Sequence, residues 1–124
     1  MSPTKMSLWA FLCALPNVLG ARLFVSHYNG NIYSLSYTAP SSLSVTNTLR
    51  AGGQMPSWLT YDSASRTLYV TDESGSGSGS SLTAVSVGSD GTLKSAGSGR
   101  STGGEVHSSL YGGSDGKSFI AAAE

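Results

Sequence analysis

Charge is scarce in this chain. Only 11% of its 124 residues are charged, and seven Lys and Arg balance seven Asp and Glu. A neutral surface gives nucleic acid and anionic membranes no electrostatic footing, so neither is expected as a partner. Cysteine is nearly absent, and the single Cys13 excludes an internal disulfide. No Asn-x-Ser/Thr sequon occurs, so N-glycosylation is not expected. Helix-forming runs of Ala, Leu, Glu and Lys are missing too. What is present is abundant Gly and Ser, six Tyr, and 39% hydrophobic residues. That mixture suits one small all-β domain of short strands joined by turns.

The N-terminus reads as a secretory leader. Lys5 precedes the apolar run "MSLWAFLCAL", which Pro16 and Asn17 break. Val18 and Gly20 are small enough for a cleavage site, so residues 1–20 are expected to be a signal peptide and 21–124 the mature domain. The run falls short of the roughly 20 apolar residues that span a bilayer. The mature protein is therefore expected to be secreted, extracellular and free of the membrane. Cys13 lies in the leader, which leaves the mature chain without a thiol nucleophile.

Beyond Gly20 the chain repeats itself. "RLFVSHYNGNIYSLSY" matches "TLYVTDESGSGSGSSLTAVSV", with Leu23, Phe24 and Val25 on Leu68, Tyr69 and Val70. "SWLTYDSASRTLYVT" matches "HSSLYGGSDGKSFIA" without a gap, with Tyr61 on Tyr111, Tyr69 on Phe119 and Val70 on Ile120. The periods are about 45 and about 50 residues, the spacing of propeller blades. The complete unit, from about Pro56 to Gly97, holds four strands: "SWLTYD", "TLYVTD", "SLTAVSV" and "TLKSAG". Runs such as "TLYV" and "SFIAAA" are apolar on both faces, as strands covered on both sides must be. Asn29-Gly30 predicts a two-residue type I′ hairpin, and Asp90-Gly91 and Asp115-Gly116 mark later hairpins. The "SGSGSGSS" stretch at 74–81 reads as a longer linker-like loop.

The expected architecture is an incomplete β-propeller of antiparallel sheets with three, four and then two strands, divided near residues 56 and 104. The first unit starts on a blade's second strand, Leu23 to His27, and the last stops after "KSFIAAAE". A repeat cannot bury its faces alone. The chain is therefore expected to be the N-terminal portion of a longer propeller or a truncated product.

"RLFVSHYNGNIYSLSY", "MPSWLTYDSASRTLYVTDE" and "GGEVHSSLYGGSDGKSFIAAAE" resemble the opening blades of the lactonase-type seven-bladed propellers. That family includes bacterial 6-phosphogluconolactonases and fungal 3-carboxy-cis,cis-muconate cyclases. The shared element is a Pro or His opening an inner strand, then an apolar strand, a turn and a second apolar strand. The resemblance covers the mature chain and implies a lactone hydrolase or lactonising isomerase. Its expected partner is a small-molecule lactone or carboxylate.

Two apparent motifs near the C-terminus carry no chemistry. "GGSDG" and "GRSTG" match G-x-S-x-G, but a nucleophile elbow needs a strand before the serine and a helix after it. Ser114 is placed in a hairpin turn and Ser101 in a loop. A phosphate loop ending at "GKS" requires glycine at 111, and that residue is Tyr111.

His107 does stand out, since the first strand of each blade lines the channel and the resemblance puts a proposed acid/base histidine at a comparable place. An imidazole near neutral pKa can move a proton to or from a lactone. Glu105, two positions away, is expected on the same side of the strand, where it orients His107. The matching place in the preceding blade is "GQMPSWL", with Ser57 on His107 and Trp58 as a pocket wall or an inter-sheet packing residue. Arg100, in the loop before His107, is the best placed arginine for a substrate carboxylate. His27 reads as structural, and Arg66 as a solvated turn residue. Some lactone-hydrolysing propellers use calcium, but two distant histidines and scattered acids make no ligand set, so neither metal nor cofactor is expected. The runner-up reading is a non-catalytic secreted propeller that binds a ligand or protein.

Overall fold

The computed structural model describes residues 20–75, 81–112 and 118–124. Apart from Gly20, the expected leader lies outside the described residues, as do Asp115-Gly116 and most of the 74–81 stretch. The described residues form nine strands: β1 (Gly20–His27), β2 (Asn31–Thr38), β3 (Ser42–Arg50), β4 (Pro56–Asp62), β5 (Thr67–Asp72), β6 (Ser81–Val87), β7 (Leu93–Arg100), β8 (His107–Gly112) and β9 (Ser118–Ala123). They pair into antiparallel sheets of three, four and two strands, ordered β1-β2-β3, β4-β5-β6-β7 and β8-β9. The all-β fold and the three-four-two count match the expectation from sequence.

The sheets stack face to face. β1 packs on β4, β4 and β5 on β8, and β3 on β7. Side chains alternate across each strand, so every sheet has a front towards the preceding sheet and a back towards the next. Phe24, Ile32 and Leu49 lie on the back of the first sheet; Leu59, Leu68, Val70, Val85, Val87 and Leu93 lie on the front of the second. Together they form the apolar core, with Ile32, Val70 and Val85 fully buried. Tyr69 on the opposite face of β5 is half-buried beneath the third sheet, which is why "TLYV" is apolar throughout. "SFIAAA" differs: β9 is covered on one face alone among the described residues, and most of it is exposed.

Three local expectations need correction. Tyr28, Asn29 and Gly30 form a three-residue turn rather than a type I′ pair, because His27 pairs with Asn31 and Gly30 N–H donates to the His27 carbonyl. Gly30 alone has positive φ, at 84°. Asn29 works through its side chain instead, accepting the Asn31 N–H at Oδ1 and donating from Nδ2 to the Tyr33 hydroxyl.

The other two concern the repeat. Leu59 pairs with Val70 and Leu110 with Ile120, so these pairs correspond, and Tyr111 falls one place out of step with Tyr61. A one-residue slip reverses the face. Tyr61 points forward onto Phe24, with ring centroids 5.7 Å apart, while Tyr111 points backward and stacks on Phe119. In addition, β4 carries a bulge between Pro56 and Leu59. Pro56–Asp72 therefore corresponds to Ser108–Ala122, and Ser57 is a bulge residue rather than the counterpart of His107.

The turn from β4 to β5 holds Arg66 at φ 56°, the only positive-φ residue other than glycine among those described. The third unit's sequence has Gly116 at the aligned position. Asp62 braces this turn by accepting the Ala64 N–H and the Ser65 hydroxyl. A side chain in the left-handed region costs about 1 kcal/mol, partly offset in glycine by its greater unfolded-state entropy. Arg66→Gly is expected to raise stability by about 0.5–1 kcal/mol in denaturant titration; a loss of the same size would show that the Arg66 side chain stabilises the turn.

Candidate functional site

The strand directions gather the polar chemistry on one rim. β1, β3, β5, β7 and β9 end there, and β2, β4, β6 and β8 begin there. This brings His27, Arg50, Asp72, Arg100, Glu105 and His107 to the same side of the stack. Loop contacts tie the rim together: the Tyr28 hydroxyl donates to Glu73 Oε2 at 2.9 Å, and Arg50 Nη1 donates to the Asn29 carbonyl at 2.7 Å. The bond to Glu73 holds the Tyr28 phenol above its usual range, because the neutral phenol is the donor.

At the seam between β4 and β8, Trp58 and His107 meet ring on ring. Their centroids are 4.4 Å apart with a 46° tilt, and both side chains are exposed. Below them the seam is polar. The Thr60 hydroxyl donates to the Ser108 carbonyl at 2.8 Å, and the Thr60 and Ser108 hydroxyls meet at 2.8 Å. Ser57 Oγ donates to the Glu105 carbonyl and contacts Thr71 Oγ1, each at 3.2 Å; Thr71 Oγ1 accepts the Trp58 N–H. Ser57 thus holds the bulge of β4 against the chain leading into β8. The hydroxyls position Trp58 and the backbone before His107.

Glu105 does not orient His107. Strand β8 begins at His107, so the two-residue alternation does not reach back to Glu105. Its carboxylate turns inward, 4% exposed, where Oε1 accepts the Gly103 N–H and Oε2 has no partner among the described atoms. Arg100, at the end of β7, is exposed. The structure thus brings Trp58 and His107 together, with Ser57 bracing beneath them, and gives Glu105 a separate buried place. Three clefts lie at the opposite rim, beside Arg22, Asp90 and Tyr111, away from this pair. Among the described residues, no group of three His, Cys, Asp or Glu side chains stands close enough to hold a metal ion.

A family model described as lactonase, seven-bladed beta-propeller, matches residues 22–124. The chain belongs to the lactonase seven-bladed propeller family. No curated protein and no solved structure gives a significant match. In this lactonase-family chain, β4 and β8 open the second and third sheets and pack against each other. The Trp58–His107 pair therefore sits where these two sheets meet at one rim.

One rim residue escaped sequence reasoning. Asp72, 2% exposed, accepts N–H bonds from Met55 at 3.0 Å, Ser74 at 3.1 Å and Gln54 at 3.3 Å. It ties the β3–β4 connection to the end of β5, directly before the bulge that carries Trp58. Gly53, at φ 77°, makes room: a Cβ there would lie 2.0 Å from Asp72 Oδ2. Nothing in the "TD" dipeptide signals this role, because two of its three partners lie some 17–18 positions earlier in the chain. Burial alone would raise the Asp72 carboxyl, but the bonds from Met55, Ser74 and Gln54 outweigh it and hold the carboxyl below its ordinary value. The stabilisation is therefore complete above the unfolded-state pKa near about 3.9 and is lost as pH falls through the lower folded-state value. Asp72→Ala is expected to cost about 2–4 kcal/mol at neutral pH, from buried donors left unpaired. Urea titrations against pH should show the gap to wild type closing in acid; a gap unchanged down to full acid unfolding would mean the charge on Asp72 contributes nothing.

Proposed function

We propose that the Trp58–His107 rim binds a lactone or its open carboxylate, with His107 as the group that moves a proton. The observation that carries this is the exposed ring pair where two inner strands meet. Trp58 offers a flat apolar wall for a small ring, and His107 a nitrogen base beside it. The family supports lactone chemistry at the level of the class. Arg100 is the arginine we assign to the substrate carboxylate, and the apolar N-terminal run supports export from the cell. A secreted protein does not meet sugar phosphates, so a carboxylated lactone of the muconate type is the favoured substrate. Because no carboxylate hydrogen-bonds His107 among the described residues, a specific observation also favours the second reading, a ligand-binding propeller without turnover.

Imidazole signals of His107 in NMR titrations with small lactones and their hydrolysed acids separate these readings. Saturable shifts are expected, with Trp58→Ala weakening the affinity about tenfold through loss of ring contact. Without such a carboxylate among the described residues, the chain is expected to bind without turnover. Robust hydrolysis abolished by His107→Ala would overturn the second expectation. Shifts absent for every ligand, or indifferent to Trp58→Ala, would remove the rim as the site.

A further inference from the structure

The β1–β2 turn places an asparagine directly before a glycine, at Asn29-Gly30. Asparagine is a thermolabile residue, and a following glycine has no side chain to hinder attack by its backbone nitrogen. In that reaction the Gly30 nitrogen gives its proton to water and bonds to Asn29 Cγ, and the side-chain nitrogen leaves as ammonia. Water then opens the succinimide to aspartate or isoaspartate. The turn nevertheless requires both residues. Gly30 has φ 84°, and a Cβ there would lie 2.7 Å from the Gly53 carbonyl oxygen. Asn29 uses both ends of its carboxamide: Oδ1 accepts the Asn31 N–H at 3.0 Å, and Nδ2 donates to the Tyr33 hydroxyl at 3.2 Å.

The same contacts oppose the reaction. The nucleophile is engaged, because the Gly30 N–H donates to the His27 carbonyl at 3.0 Å. The peptide that carries it is held at its other end too, where the Asn29 carbonyl accepts Arg50 Nη1 at 2.7 Å. The Asn29 N–H donates to His27 Nδ1 at 3.1 Å. For Gly30 to reach Asn29 Cγ, its nitrogen must leave His27 while the carboxamide leaves Asn31 and Tyr33. Those three bonds must break together. We propose that Asn29 is a modification site controlled by the fold: the closed turn withholds it from succinimide formation, and local opening of the turn commits it to aspartate or isoaspartate. The products matter to the rim. Isoaspartate lengthens the main chain between the paired His27 and Asn31, and aspartate takes from Tyr33 its Asn29 donor. Either product lies beside Tyr28, whose bond to Glu73 ties the first sheet to the second. An opening of the turn is thereby recorded as a lasting change at that tie.

Mass spectrometry on the full chain at neutral pH, folded and in urea, measures the conversion. The tryptic peptide spanning residues 23–50 also carries Asn31 and Asn47, followed by Ile and Thr, as slower internal references. Conversion of Asn29 in the folded chain is expected to be at least about tenfold slower than in urea, since it proceeds only from the opened fraction. Tyr33→Phe removes one of the three bonds; it is expected to speed conversion in the folded chain about fivefold and to leave the rate in urea unchanged. Equal wild-type rates in the folded chain and in urea would overturn the proposal. So would a Tyr33→Phe chain that keeps its strand content by circular dichroism and converts no faster than wild type.

Discussion

A sheet with apolar residues on both faces has no stable life of its own, and the molecule is organised around that constraint. Burying one strand face against solvent-facing polar residues, as a two-layer sandwich does, is closed to "TLYV". Leu68 and Val70 need the back of the first sheet while Tyr69 needs the third. The six buried residues of the core draw on the first two sheets together, so the core belongs to their junction. Covering an apolar face is the main favourable term, at about 25 cal/mol per Å² removed from water.

The two junctions are made of different material. Between the first and second sheets the contact is aliphatic, with Phe24 and Tyr61 at its inner edge. Between the second and third it is largely hydroxylic, through Ser57, Thr60, Thr71 and Ser108. Hydroxyls fix geometry more than they stabilise, since each net bond contributes about 1 kcal/mol. The candidate site lies on this second junction, where two exposed rings require a defined backbone beneath them. Asp72 serves the same end by holding the chain into β4, where no strand pairing reaches.

Much of this was legible in the sequence. The all-β fold and the three-four-two count follow from a repeated aliphatic-aromatic pattern broken by Gly, Asn and Asp turns. The errors lie where one residue decides. Counting Tyr61 onto Tyr111 ignores a register offset between the β4–β5 and β8–β9 hairpins, and counting Ser57 onto His107 ignores the bulge between Pro56 and Leu59 as well. Pairing Glu105 with His107 assumes strand alternation before the strand has begun. Trp58 was recognised as a ring beside the site, but its contact with His107 depends on the bulge and was invisible. Asp72 was invisible because two of its three partners are backbone amides of a distant loop, and backbone amides carry no sequence signature.

The most direct measurement compares Leu68→Ala with Leu23→Ala by denaturant unfolding, at concentrations where the chain is monomeric. The two leucines hold the same position in the repeat, and only the sheet in front of them differs. Stacked blades predict a loss of about 2–5 kcal/mol for Leu68→Ala and less than about 1 kcal/mol for Leu23→Ala. Equal losses would mean that the sheets do not stack in this order, and the rim that carries Trp58 and His107 would go with them.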